Sequence, residues 1–333
     1  MNILMQYKYT ILVTTLSVFF LTSCGGDSSP DEEVPATGSL ILAITDAPVD
    51  EASNVVVTFS GVEIKPASGS SFTVTFDAPM EIDLLALQGG GSNLLLNGLE
   101  VEAGQYNWIR LLVEAERNTL DSYLQSVADD PNSRTSLWVP SGSQTGLKLN
   151  HSFVIAAGGN ADLTIDFDLR KSITNPVGQE NDYILKPSLR IVDNNVVGEI
   201  AGIVAPGLLI NEDSTGLNTC SDSSAVYVFA ADMTGESPAD AQIDDLDGVD
   251  TDGADPITTA TVQLAQDGIY QYSVAYLSAG FYTIAFTCHS ADDVADEDNS
   301  DIMVFIGTTT LEVLPDTTTE HDFNIETEEA PAQ

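Results

Sequence analysis

Short segments in which apolar residues alternate with polar ones, or which are apolar throughout, follow one another along most of this chain. Residues 71–76 (SFTVTF) alternate with a period of two, as in a half-buried β-strand, and residues 225–230 (AVYVFA) are apolar throughout. Clusters of Gly, Pro, Asn and Asp separate these segments. Strands of about 5–9 residues joined by short turns predict an all-β protein made of two antiparallel β-sandwich domains in tandem.

The same pattern gives the positions of the individual elements. Residues 82–88 (IDLLALQ), followed by three glycines, predict a short helix. The strands predicted in the first half are 39–44, 54–60, 62–65, 71–76, 106–114, 146–149, 161–169 and 183–192. The strands predicted in the second half are 198–204, 225–230, 259–264, 269–274, 280–287, 303–306, 309–313 and 319–325.

These strands form two groups, which we assign to a first domain at 38–195 and a second at 196–326, followed by a polar tail at 327–333. Residues 99–106 (LEVEAGQY) and 277–282 (LSAGFY) share a Leu, an Ala-Gly turn and a Tyr two places after the Gly. Gly supplies the open turn dihedrals, and the aromatic ring then covers the edge of the core. We therefore expect the same type of sandwich, prealbumin-like or immunoglobulin-like, in both domains.

The first residues have the layout of a secretory leader at 1–23. An apolar run at 11–21 is too short to span a membrane, and it ends at residues 21–24 (LTSC). This ending resembles the cleavage site of bacterial lipoproteins, which implies a diacylglyceryl group and an acylated amine on Cys24. Two or more acyl chains anchor a protein stably where one would not. The alternative is a leader cut elsewhere, with Cys24 an ordinary thiol.

Two further features of this end concern location. Gly25 after the cysteine, rather than Asp, resembles lipoproteins that are passed on to the outer membrane. Residues 24–37 are rich in Gly, Ser, Pro and acidic residues, a composition that cannot bury enough surface to order itself. We therefore expect a flexible acidic tether between the lipid and the fold, on the periplasmic or the external side of the outer membrane.

Charge is the most unusual property of the composition. The chain carries 51 acidic and 10 basic residues, a net charge of −41, and residues 196–333 contain no Lys or Arg against 27 Asp and Glu. Such a surface repels nucleic acid and anionic headgroups, which excludes nucleic-acid binding. The remaining interpretations are adaptation to salty water, where charges are screened over about 8 Å or less, and binding of divalent cations.

Once the lipidated Cys24 is set aside, two cysteines remain, Cys220 and Cys288. An even pair in an exported protein predicts a disulfide, which would close a loop of about 68 residues within the second domain. Buried free thiols are the alternative.

Five carboxylates between residues 245 and 255 (DLDGVDTDGAD) form the best candidate metal site. They are Asp245, Asp247, Asp250, Asp252 and Asp255, with glycines at 248 and 253. Alternating Asp and Gly can supply the oxygens and the tight turns that Ca²⁺ requires. The order is not that of an EF-hand, and the alternative is a solvated acidic loop. No other cofactor is predicted.

Several motifs in the first half occur together in a known order. They are residues 45–48 (TDAP), 57–63 (VTFSGVE), 82–89 (IDLLALQG), 104–106 with 109–111, 139–148, and 166–172 (DFDLRKS). Over about residues 38–194 the chain resembles the domain-of-unknown-function 4382 family of bacterial lipoproteins. The resemblance implies location and architecture but no activity. The second half is similar to prealbumin-like or carboxypeptidase-regulatory sandwiches, which implies a non-catalytic surface module.

No constellation for catalysis stands out in the sequence. Residues 142–146 (GSQTG) lack the Gly-x-Ser-x-Gly order of a nucleophile elbow. The charged residues of the 166–172 motif favour structural ion pairs at a strand end over an anion site. Trp108, Trp138 and Tyr106 could form a carbohydrate-stacking platform, although core packing is the more common role of such residues.

The sequence therefore predicts a lipid-anchored protein of the cell envelope that is not an enzyme, a binding, adhesion or assembly module whose partner is a protein or a glycan. One alternative is a carbohydrate-associated protein, either a glycan binder or a hydrolase with unassigned carboxylates. The other is a structural surface module stabilised by Ca²⁺.

Overall fold

The computed structural model describes residues 35–47, 52–126, 133–140, 146–174, 182–186, 188–213, 216–220, 224–231, 255–293 and 303–324. Over these residues the chain is almost entirely β, which confirms the predicted fold class. Two separate apolar cores account for most of the buried side chains. One is built from residues between Leu40 and Ile191 and the other from residues between Ile200 and Phe323.

The first sandwich contains thirteen described strands and one short α-helix, α1 (Leu169–Ser172). The strands are β1 (Thr37–Ala47), β2 (Ala52–Pro66), β3 (Phe72–Asp83), β4 (Asn93–Glu102), β5 (Gly104–Glu114), β6 (Tyr123–Ser126), β7 (Thr135–Trp138), β8 (Leu147–Leu149), β9 (Phe153–Ile155), β10 (Asn160–Asp168), β11 (Ile173–Thr174), β12 (Tyr183–Leu185) and β13 (Leu189–Asp193).

Two sheets enclose the first core. One has the order β13-β10-β1-β4, and the larger one follows the path β11-β12-β7-β6-β2-β5-β8, with β3 beside β2 and β9 beside β5. The ring of Phe59 on β2 meets the ring of Phe167 on β10 edge to face, with centroids 6.2 Å apart, so this contact joins the two sheets. Alternate residues of β5, Ile109, Leu111 and Val113, are buried in this core.

The second sandwich contains ten described strands. They are β14 (Val197–Ile203), β15 (Ile210–Asp213), β16 (Gly216–Thr219), β17 (Ala225–Ala230), β18 (Thr258–Thr261), β19 (Gln263–Leu264), β20 (Tyr270–Ser278), β21 (Gly280–Thr287), β22 (Phe305–Val313) and β23 (Thr318–Glu320). One sheet has the order β19-β20-β14-β23 and the other β18-β17-β21-β22, while β15 and β16 form a separate hairpin.

The two sandwiches share the arrangement of their central strands. The first strand of each, β1 or β14, pairs antiparallel with the strand before the Ala-Gly turn, β4 or β20. On its other side the same strand pairs parallel with a later strand, β10 or β23. The chain then crosses at the Ala-Gly turn to the opposite sheet, where β5 pairs with β2 and β21 pairs with β17. The shared sandwich type predicted from the repeated motif is therefore present.

The repeated motif also has the same local geometry in both halves. The hydroxyls of Tyr106 and Tyr282 each donate to the carbonyl four residues earlier, at 2.7 Å in both cases. The counterpart of Leu277 is Val101 rather than Leu99, because Val101 and Leu277 pair with equivalent positions of the first strand. The tyrosine therefore connects each Ala-Gly turn, which we call a corner, to the strand before it.

A close backbone approach explains the glycine at the start of each first strand. A Cβ added to Gly38 or Gly198 would lie 2.6 Å or 2.3 Å from a backbone carbonyl oxygen of the turn that precedes the parallel strand. In both turns a left-handed residue, Gly158 or Asp316, donates its N–H to the carbonyl before that glycine, at 2.7 and 2.8 Å. This contact fixes the parallel strand in register.

Several elements differ from the sequence prediction. The strands predicted at 54–60 and 62–65 are one strand, β2, because the register shifts at Gly61, where a Cβ would lie 2.5 Å from the carbonyl oxygen of Val74. The predicted helix at 82–88 is reduced to a 3-10 turn at Leu84–Leu87, because Ile82 and Asp83 continue β3. The pairing is also not purely antiparallel, since β1–β10, β12–β7 and β14–β23 are parallel.

The predicted disulfide is confirmed. Cys220 and Cys288 are joined, with their Cα atoms 5.3 Å apart, and both pack against the second core. The bond links the segment after β16 to the end of β21. Cys24 lies outside the described residues, so the lipid anchor stays a prediction.

Candidate functional site

Three sequence motifs that lie far apart in the chain meet at one end of the first sandwich. Because β1 and β10 are parallel, Thr45 pairs with Asp166 and Ala47 with Asp168, so residues 45–47 and 166–168 lie side by side at the carboxyl ends of the strands. The hydroxyl of Thr45 donates to the carbonyl of Gly91 at 2.6 Å. The glycine loop at 89–91, which follows the 3-10 turn, therefore lies beside these strand ends.

A partly buried ion pair lies at the centre of this end. Arg190 on β13 is paired with Asp166 on β10, and its Nε donates to the carboxylate at 2.6 Å. Burial raises the pKa of the Asp166 carboxyl, and the Arg190 guanidinium opposes that shift. Asp166 is therefore in a structural ion pair, but its partner Arg190 comes from a neighbouring strand, whereas the sequence suggested pairing within the 166–172 motif.

The same arginine reaches the second sandwich. Its Nη1 donates to the carbonyl of Tyr276 on β20 at 3.1 Å. Tyr276 has a φ of 57°, a left-handed conformation that is uncommon for an aromatic residue. Its hydroxyl donates to the carbonyl of Gly90 at 3.4 Å, so both ends of Tyr276 contact the first sandwich.

Helix α1 supplies two more cations to the contact between the two sandwiches, which we call the junction. Arg170 donates to the carbonyl of Ser290 and lies 5.8 Å from the ring centroid of Tyr227, while Nζ of Lys171 donates to the carbonyl of Pro256 at 2.7 Å. The helix is held by Asp168, whose carboxylate accepts the N–H of Lys171 at 3.1 Å. Burial raises the pKa of Asp168 to about 6, against the lowering effect of Lys171.

These contacts follow from the charge asymmetry between the two halves. Residues 196–333 contain no Lys or Arg, so a cation at their surface must come from elsewhere. The first sandwich places Arg170, Lys171 and Arg190 against backbone carbonyls of the second sandwich. Charge-assisted hydrogen bonds of this kind are stronger than neutral ones. This role has no signal in the sequence, since the accepting carbonyls are set by the fold alone.

A cavity of 580 Å³ opens between the two sandwiches beside Arg190. Uncharged polar residues are the largest group in its lining, and they include Gln88, Gln263 and Ser273. Nε2 of Gln263 donates to Oε1 of Gln88 at 3.2 Å, so these two amides connect the two sandwiches at the cavity. Arg190 is the one basic residue in the lining drawn from the described part of the chain.

One of the five predicted calcium ligands belongs to the part of the chain that the structure describes. Asp245, Asp247, Asp250 and Asp252 lie outside the described residues. Asp255 is described and half-buried, just before β18. Within the described ranges no group of three or more His, Cys, Asp or Glu is arranged to hold a metal. The calcium site therefore stays a prediction.

The aromatic platform considered from the sequence is not assembled. Tyr106 is buried, because a register shift beside it turns its ring inward to stack on Phe153 at 5.2 Å. Trp108 is flanked by Arg110 and Lys148, with the cationic atoms 5.0 and 4.7 Å from the ring centroid. The three aromatic residues therefore do not present one face.

Comparison with known families gives one match. Residues 37–187 match the family model described as Domain of unknown function (DUF4382), which contains all three motifs that meet at the junction. No curated protein matches the chain. In the part of the chain that the structure describes, no helix has the length and apolar character needed to cross a membrane.

Solved structures give only weak likenesses. The Bacillus anthracis TIE protein aligns with 10% identity and a TM-score of 0.17 over 86% of this chain, which spans 33% of the length of that protein. GBS52, the minor pilin of Streptococcus agalactiae, aligns with 11% identity and a TM-score of 0.17 over 89% of this chain and 100% of the other. The fimbrial anchor protein Mfa2 from Porphyromonas gingivalis aligns with 10% identity and a TM-score of 0.18 over 81% and 82%. At such scores these likenesses carry no argument about fold or function.

Proposed function

We propose that the chain is a lipid-anchored, non-catalytic binding module of the bacterial cell envelope, a role argued from the chain itself because the description of the DUF4382 family model that residues 37–187 match states no function. The proposal has two parts, the location of the protein and the kind of work it does there. Adhesion and assembly are the forms of binding that suit a protein held at a membrane by its amino terminus.

The disulfide between Cys220 and Cys288 is the observation that carries the location. Disulfides form and persist in oxidising compartments such as the periplasm and the cell surface, and they are rare in the cytosol. The presence of this disulfide in the second core therefore supports export of the protein. The leader at 1–23 and the cysteine at its end support a lipid as the means of retention.

The chemistry at the junction supports binding rather than catalysis. The cavity presents amides and hydroxyls, which recognise a ligand by hydrogen bonds. Asp166, whose pKa is raised by burial, already accepts Nε of Arg190 at 2.6 Å. Its contact is that of a structural carboxylate which fixes the arginine of the junction.

The lipid anchor is tested by labelling cells with radioactive palmitate and separating their membranes. We expect the wild-type chain to carry the label and to sediment with the outer membrane, and Cys24→Ala to carry none. Ser29→Ala is the matched control, since it changes a residue near Cys24 and leaves both Cys24 and the disulfide intact. An unlabelled wild-type chain released into the medium would refute the anchor, and globomycin should cause uncut precursor to accumulate.

A structural role for Ca²⁺ in the acidic loop is the second candidate, supported by the spacing of Asp245, Asp247, Asp250, Asp252 and Asp255. Calorimetric titration of the full chain with Ca²⁺ should release heat and raise its melting temperature. Replacement of Asp247 and Asp250 by Asn should abolish both effects. No heat and no thermal shift would remove the calcium proposal without affecting the anchor.

A further inference from the structure

We propose that the cavity between the two sandwiches binds a neutral mono- or disaccharide. This inference rests on the proposed function, because it names the ligand class and the site of a binding module. It is carried by the chemistry, the charge and the size of the lining.

The polar groups of the lining suit a ligand made of hydroxyls. The amides of Gln88, Gln263 and Gln271 each offer both a donor and an acceptor, and Gln271 and Gln263 are exposed on paired strands. A sugar hydroxyl also donates and accepts, so each can pair with an amide in either sense. Glu320 and Asp322 lie at the exposed end of the same cavity and add carboxylate acceptors for vicinal hydroxyls.

An aromatic residue with a fixed position lies beside these groups. Tyr276 is half-buried in the lining, and contacts at both its carbonyl and its hydroxyl hold it in place. Its left-handed backbone is the kind of conformation that persists only where the surrounding structure imposes it, and such residues cluster at ligand sites. An aromatic ring held in this way can pack against the apolar face of a sugar.

Charge decides against an anionic ligand. The lining contains four carboxylates, Asp46, Asp166, Glu320 and Asp322, and the only described cation, Arg190, is bound to Asp166. A phosphate or a uronate would enter this environment without a free partner cation and against like charge. A neutral ligand carries no such cost.

Size is consistent with a small sugar. The cavity of 580 Å³ falls within the roughly 300–1,000 Å³ that small-molecule sites occupy in proteins. Both sandwiches contribute to it, and ligand sites are frequent at such domain interfaces. A ligand bound there would also connect the two sandwiches.

The experiment uses the full chain in a detergent without a sugar headgroup, such as lauryldimethylamine oxide. Maltose, cellobiose, lactose and N,N′-diacetylchitobiose are tested by saturation-transfer NMR and calorimetry, with digalacturonate as the anionic comparison. We expect at least one neutral disaccharide to bind saturably and digalacturonate not to bind. Replacing Gln263 and Gln271 together by Ala should weaken binding about tenfold or more, because two hydrogen bonds are lost.

Gln105→Ala is the matched control, since Gln105 is an exposed glutamine on β5 and does not line the cavity. It should leave binding unchanged, and every variant should stay folded, the double variant losing at most a few degrees of melting temperature because it also removes the Gln263–Gln88 hydrogen bond. Absence of binding for every neutral disaccharide at millimolar concentration, equal binding of digalacturonate, or equal weakening by Gln105→Ala would each overturn the proposal. Palmitate labelling and membrane fractionation of the same strains report on the anchor separately, so either conclusion can fail alone.

Discussion

Removal of the Cys220–Cys288 disulfide should strongly destabilise the second sandwich and leave the first unchanged. The bond closes a loop with a sequence separation of 68 residues. In the chain-entropy treatment a loop of this length contributes about 4 kcal/mol to the free energy of unfolding, through restriction of the unfolded chain. Cys220 is also buried in the core, so its replacement by Ala adds a small packing loss.

The expected shift in melting temperature follows from the size of the sandwich. About 130 residues unfold with an entropy near 0.27 kcal/mol/K, so about 4 kcal/mol corresponds to a fall of roughly 15 °C. Differential scanning calorimetry of the full chain should show this fall for Cys220→Ala/Cys288→Ala. Both tryptophans, Trp108 and Trp138, lie in the first sandwich, so tryptophan fluorescence reports that sandwich separately.

Reduction provides the control for this prediction. A phosphine reductant should lower the melting temperature of the wild-type chain to nearly that of the double variant, and it should not affect the variant. If the wild type and the double variant melt within about 2 °C of each other, the entropic argument fails, because an unconstrained loop of this length must cost more.

Three further predictions concern the corners and the junction. Tyr106→Phe and Tyr282→Phe should each lower the free energy of unfolding by about 1 kcal/mol in urea titrations, since each removes one hydrogen bond to a carbonyl; no change in either would contradict the corner role. Burial raises the pKa of Asp168 from 3.8 to about 6, so the wild-type protein loses stability as the pH rises through this range and the buried carboxyl ionises. Asp168→Asn keeps a neutral side chain and should therefore gain stability relative to the wild type over the same range in thermal melts. Arg190→Met should cost about 3 kcal/mol, because it leaves Asp166 buried without its cation; a double-mutant cycle with Asp166→Asn should recover part of that loss, and additive losses would contradict the pair.

The sequence predicts the local structure of this chain well. The strands β5, β10, β17 and β21 match segments whose apolar pattern is strong. That pattern is reliable because a sandwich of any topology buries one face of each strand or both. The disulfide is also predictable, because only two cysteines remain once the cysteine of the leader is set aside. The predictions fail where the choice between helix and strand depends on a pairing partner. Residues 82–83 have a helical pattern but continue β3, because β2 offers a partner strand.

The candidate site is less predictable, because it depends on contacts between distant segments. Nothing in the sequence shows that Thr45 and Asp166 lie side by side, since that contact needs the parallel pairing of β1 and β10. Tyr106 has the spacing of a surface residue relative to Trp108, but one register shift turns it into the core. Arg190 has no sequence signal for its role, since it acts through the carbonyl of Tyr276.

Charge asymmetry and duplicated topology together explain why the junction is built in this way. Both sandwiches bury their own cores, and the described contacts between them include charge-assisted hydrogen bonds. The second sandwich has no cation to offer, and its many carboxylates are repelled by one another. The first sandwich uses three cations there, and each donates to a backbone carbonyl oxygen of the second sandwich. Such contacts are short and partly buried, so salt screens them much less than it screens the repulsion between surface acids. We therefore expect the hydrogen bonds of the junction to persist at high salt, where the general repulsion is weakest.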